Sequence, residues 1–188
     1  MKNNKTMLLS SITVGTLLFT TVSFADVCKA DIHIDNQYIG TTICGVGDVS
    51  NISVLGNLYT NQTVISQELH VVGVATLSGG NVTNASINGD GNFTNVTMEG
   101  GTTLTGLLKA SGVRFNGILT IYSPDVRLSQ TSTQDIMDTD TTNPTESIYL
   151  QGTHVNGDIT FASGRGVVYM DSGSSISGQV KGGKVVHD

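Results

Sequence analysis

Val54-Leu55-Gly56-Asn57-Leu58 carries a phrase, apolar-x-Gly-x-apolar, that returns around Gly73, Gly89, Gly106, Gly117, Gly157 and Gly178. Two residues before each glycine stands an apolar side chain: Val54, Val71, Ile87, Leu104, Phe115, Val155 or Ile176. Two residues after it stands Leu58, Ala75, Gly91, Leu108, Leu119, Ile159 or Val180. Alternation with a period of two marks short strands that each bury one face. The glycines at 56, 73, 89 and 106 fall 17, 16 and 17 residues apart. Recurrence at such an interval marks stacked units that share one elongated core.

A repeat of this length holds three short strands and their turns at about 3.3 Å per residue. Coiling the chain so that each repeat pairs with the one before satisfies the backbone groups between successive coils. It also stacks Val54, Val71, Ile87 and Leu104 inside, where each buried side chain stabilises by roughly 1.5–3 kcal/mol. The expected fold is therefore all-β, a single-stranded parallel β-helix. A right-handed coil is favoured, because left-handed hexapeptide helices need an apolar residue every six positions. A sandwich of antiparallel hairpins is the competing all-β architecture; the same phrase in each repeat argues against it.

Working outward from the repeat, residues 1–25 read as a signal peptide. Lys2 and Lys5 precede the uncharged run 6–24, and Ser23-Phe24-Ala25 offers a cleavage triplet. Removal of that segment takes away two lysines, making a net charge of −6 more negative still and leaving no membrane span. Residues 26–50 read as an N-terminal cap. Asp31-Ile32-His33-Ile34-Asp35 alternates like a strand, and Asn36-Gln37 can turn it back into Tyr38-Ile39. Cys28 and Cys44 are the only cysteines, and in an exported chain they are expected to form a disulfide clamp over this end.

Residues 51–188 form the β-helix, with the intervals breaking after Gly106. Residues 129–147 are rich in Ser, Thr, Gln, Asp and Asn and contain Pro144, and they read as an irregular insertion projecting as a loop. Lys184-Val185-Val186-His187-Asp188 reads as a final strand with a charged tip.

The composition restricts function more than it defines it. Only 13% of residues are charged and 5% aromatic, without Trp. The acidic balance argues against nucleic acid as a partner. Asp90, Asp125, Asp158 and Asp171 are scattered, and His70, His154 and Arg165 show no spacing that selects them, so no catalytic residue is assigned. Asp135, Asp138, Asp140 and Glu146 lack the Gly and terminal Glu of a calcium loop and read as a solvated acidic loop. Neither a metal nor a cofactor is expected. Six Asn-x-Ser/Thr triplets, at Asn51, Asn61, Asn81, Asn84, Asn92 and Asn95, suit outward and turn positions of the coil.

The segments Val155-Asn156-Gly157-Asp158-Ile159-Thr160-Phe161, Ile87-Asn88-Gly89-Asp90 and Ile176-Ser177-Gly178-Gln179-Val180 resemble coils of the bactofilins, a polymer-forming cytoskeletal family. The resemblance spans residues 50–128 and 148–186. It implies a right-handed β-helix and end-to-end assembly. Bactofilins are cytoplasmic, whereas this chain opens with an export signal and carries a cysteine pair. The expected function is a non-enzymatic, exported structural or adhesive rod of the bacterial periplasm or cell surface. Its partners would be copies of itself or a surface glycan or protein; the alternative is a carbohydrate-binding or carbohydrate-active β-helix.

Overall fold

A computed structural model describes residues 27–34, 37–143 and 145–187. The expected signal peptide, Asn36 of the hairpin turn and Pro144 lie outside the described residues. Every element found is a β-strand, and together they coil into a parallel solenoid of about nine turns. Each strand pairs with its counterpart one coil away, and the pairing is parallel from Gln37–Cys44 onward.

Three coils are drawn as nearly continuous strands, Gly47–Asn61, Thr63–Ser78 and Asn81–Thr94. From there each coil divides into three short strands. One coil holds Arg114–Phe115, Leu119–Tyr122 and Asp125–Ser129. The three resulting stacks each expose one row of side chains and bury the next, as a pleated strand must.

The inward rows are continuous columns. Val54, Val71, Ile87, Leu104 and Ile121 lie in register on successive coils and are all buried. Ile52, Leu69, Ala85, Thr102, Leu119, Ile136 and Ile159 make a second column. A third runs through Ile65, Val82, Met98, Phe115, Thr133 and Val155.

The seven repeat glycines divide between two corners of the coil. Gly56, Gly73, Gly89 and Gly106 stack at one corner, beginning with Gly40 in the cap. Gly117, Gly157 and Gly178 belong to another, which begins at Gly100. The short interval between Gly106 and Gly117 is thus a step from one corner of a coil to a different corner of the next. At the first corner each glycine has a positive φ, and each one after Gly40 sits directly on the carbonyl of the glycine one coil back. No side chain fits between those backbones.

The stretch 129–147, expected to project as a loop, is largely built into the stack. Ser132–Thr133 and Ile136–Asp138 pair with strands on both sides. Its alternation survives in polar clothing: Thr131, Thr133 and Asp138 take inward positions and are buried. Backbone pairing is indifferent to side-chain polarity, so a polar strand can hold the ladder when its neighbours supply the core. The extra length is confined to 139–146. Asp135 and Asp158 bond across adjacent coils at a separation of 23 residues, against 17 for Asp90 and Leu107.

The N-terminal end is closed by the expected hairpin. Cys28–Ile34 runs antiparallel to Gln37–Cys44, with Cys28 opposite Cys44, and the two cysteines are disulfide-bonded. Gln37–Cys44 pairs with Gly47–Asn61 on its other side, so the antiparallel strand covers what would be an open edge. Replacing both cysteines by serine is expected to cost about 2–3 kcal/mol. Because coils touch only their neighbours, hydrogen exchange should rise mainly in residues 28–61.

Candidate functional site: an axial groove

The scattered carboxylates of the sequence have structural partners. Asp90 Oδ1 accepts the Leu107 N–H at 2.9 Å, Asp135 Oδ1 accepts that of Asp158 at 2.8 Å, and Asp158 Oδ1 accepts that of Gln179 at 2.8 Å. Each ties a corner of one coil to the next. The hydrogen bond from Lys181, then that from Gln179, holds the Asp158 carboxyl below the usual range. Asp171 is held down by Ser174 and the Gly152 N–H. His154 Nδ1 lies 2.9 Å from Ser175 Oγ, and His70 lies in a separate hollow beside Glu68 and Tyr38. The structure does not bring these residues together. Among the described residues, no group of three or more His, Cys, Asp or Glu is placed to hold a metal ion.

The asparagines of the six triplets are all exposed. Asn51 donates to Gln67, and Asn84 accepts the Gly101 N–H, so two of them act as ties between coils. Asn95 takes a positive φ at a turn, which asparagine tolerates.

A feature that residue spacing did not single out runs along the outside of the third strand stack. Parallel register places Asn92, Lys109, Arg127, Tyr149 and Tyr169 in one outward row. Two residues on, Thr94, Ser111, Ser129 and Gln151 form a second row, which Asp171 continues. Between them lies an axial groove. Its wider part, a cleft of about 310 Å³, is lined by Arg127, Ser129, Tyr149, Gln151, Tyr169 and Asp171. A second hollow of about 280 Å³ adjoins it through Arg127 and Ser129, and reaches Lys109 and Asn92.

The row is ordered by ring contacts. Tyr149 and Tyr169 stack with centroids 4.8 Å apart and planes 10° apart, close to the spacing of neighbouring strands. The Arg127 guanidinium lies 4.6 Å from the Tyr149 centroid and 2.8 Å from Asp125 Oδ2. The hydrogen bond to Asp125 raises the Arg127 pKa further above its ordinary value. Tyr149 thus has both ring faces covered, and the groove presents ring edges, phenol hydroxyls and a fixed cation. Such a surface can hydrogen-bond polar chains and attract anionic groups; it offers little flat ring area. The register is visible only once coils of unequal length are aligned, because Arg127 and Tyr149 are 22 residues apart while Lys109 and Arg127 are 18 apart.

The acidic residues of the 129–147 stretch also depart from expectation. Asp138, Asp140 and Glu146 are buried rather than solvated, with at most 1% of their surface exposed. Burial raises the Asp140 carboxyl, but hydrogen bonds from Thr142 and Asn143 outweigh it and hold the group below the usual range. Glu146 Oε2 accepts the Ser163 hydroxyl at 2.8 Å.

The fold is a parallel β-solenoid, as the resemblance to bactofilins implied; no protein-family model, curated protein or solved structure matches the chain.

Proposed function

We propose that this chain is an exported structural or adhesive rod whose axial groove holds an extended, acidic glycan. The observation that carries the reading is the continuous parallel ladder, which fixes Lys109, Arg127, Tyr149 and Tyr169 at one-coil intervals along a straight line. A linear polymer laid along the axis meets a cationic side chain at two successive coils and a phenol at each of the next two. The Cys28–Cys44 disulfide supports an oxidising, extracytoplasmic location. A non-enzymatic role is supported by the engagement of Asp90, Asp135 and Asp158 in corner ties.

The test is binding of the full described chain to soluble polygalacturonate, with neutral dextran as comparison. Binding is expected to be selective for the acidic polymer and to weaken with salt. Lys109→Ala combined with Arg127→Ala is expected to weaken it about tenfold or more while leaving thermal stability nearly unchanged. Equal affinity for both polymers, or no loss in the double variant, would remove the groove from the proposal. Cell fractionation of the full-length chain tests export separately.

Self-association is a second route to a scaffold. Gly183–His187 pairs on one side with Gly166–Met170, and most of its residues are exposed. Its other edge has no strand partner among the described residues. At the N-terminal end Cys28–Ile34 pairs only with Gln37–Cys44 among the described residues, so its outer edge is the other strand edge open to pairing. Sedimentation that shows only monomer at high concentration would exclude it.

A further inference from the structure

Asp138 stands where the fold otherwise puts hydrocarbon. Register places it directly between Ile121 and Phe161, within the continuation of the column Val54, Val71, Ile87, Leu104. Its Oδ1 accepts the Asp140 N–H at 3.0 Å, while its buried Oδ2 has no hydrogen-bond partner. Glu146 Oε1 is buried without a partner as well. A carboxylate oxygen in that condition is costly, whereas a neutral carboxylic acid needs only one acceptor.

We propose that Asp138 is carried as a neutral acid inside the solenoid, and that its ionisation loosens this coil, giving the rod a seam whose firmness is set by pH. The titratable groups around it are Asp140 and Glu146, both acidic. Arg165 is the nearby cation, and its guanidinium donates to the Thr141 and Asn143 carbonyls rather than to either acid. The strands stacked above and below contribute Leu119, Ile121, Ile159 and Phe161, which offer no countercharge. Nothing among the described side chains therefore stabilises an Asp138 anion beyond one backbone N–H.

Burial is the main cause that raises the Asp138 pKa from 3.8 to about 7; the Asp140 N–H opposes it, and the Glu146 and Asp140 charges add to it. Between those values the folded chain keeps a proton that the unfolded chain has released. Stability accordingly falls as pH rises through that window and is level above it. The sign is opposite to that of a salt-bridged carboxylate. A solenoid transmits load from coil to coil, so one weak coil decides where the rod yields.

The experiment is thermal unfolding of the full chain from pH 5 to pH 8, beside Asp138→Asn, which keeps the shape and cannot ionise. The wild-type midpoint is expected to fall by roughly 5–10 °C across the window. Asp138→Asn should lose most of that dependence, and the comparison cancels every other titrating group. Carboxyl carbon NMR of the wild type gives an independent reading, with Asp138 expected to titrate near neutrality. An unchanged slope in the variant, or an Asp138 midpoint in the ordinary carboxylate range, overturns the proposal. So does a chelator-reversible rise in midpoint with calcium at pH 8, which would make the orphan oxygens cation ligands. If Asp138→Asn does not fold, the NMR titration decides.

Discussion

Gly89→Ala is expected to lose at least about 3 kcal/mol of stability, which is large for adding a single methyl group. The new Cβ would lie 1.8 Å from the Gly73 carbonyl oxygen, and φ at this position is +141°. Neither problem can relax alone. Moving the backbone away from Gly73 breaks the ladder on one side, and Gly106, stacked on the other side at 2.6 Å from the Gly89 oxygen by the same measure, resists the shift. Chemical denaturation reads the loss. Gly101→Ala is the control, since its Cβ would meet nothing within 4 Å and the expected change is under about 1 kcal/mol. Equal effects at the two positions would show that corner stacking is not what the glycines serve.

Phe115→Ala is expected to cost about 3–5 kcal/mol. Phe115 is 1% exposed and stands between Met98 and Thr133 in its column, with the Phe93 ring 6.5 Å away. The cavity cannot collapse by moving one strand, because each strand is hydrogen-bonded to a neighbour above and below. Hydrogen exchange should show the loss concentrated in the coils containing Thr97–Met98, Arg114–Phe115 and Ser132–Thr133. A uniform rise along the whole solenoid would contradict nearest-neighbour coupling.

Much of this architecture is legible residue by residue. Val54, Val71, Ile87 and Leu104 were placed in one inward column by alternation and interval alone, and they form it. The hairpin that closes the N-terminal end follows from an alternating run, a turn and two cysteines. What misled was a similarity of phrase. Gly117, Gly157 and Gly178 have the same apolar neighbours as Gly56 and Gly73, because any tight corner between two inward residues asks for the same pattern. Local sequence cannot tell one corner of a coil from another. The 129–147 stretch misleads in the opposite way, because polar residues mostly face solvent; Thr131, Thr133 and Asp138 are inward although none is apolar.

The axial groove was the least visible. Its two rows come from residues 17 to 22 apart, on coils of differing length, and none of them forms a motif. By itself the sequence determined that strands would be short, one-faced and repeated, because the apolar period and the glycine spacing are local quantities. Only the tertiary structure decided which corner each glycine occupies, that an aspartic acid is shut inside the core, and that a cation and two phenols stand in line. Those outcomes depend on register between coils, which the summed backbone pairing of the entire stack sets and no single segment encodes.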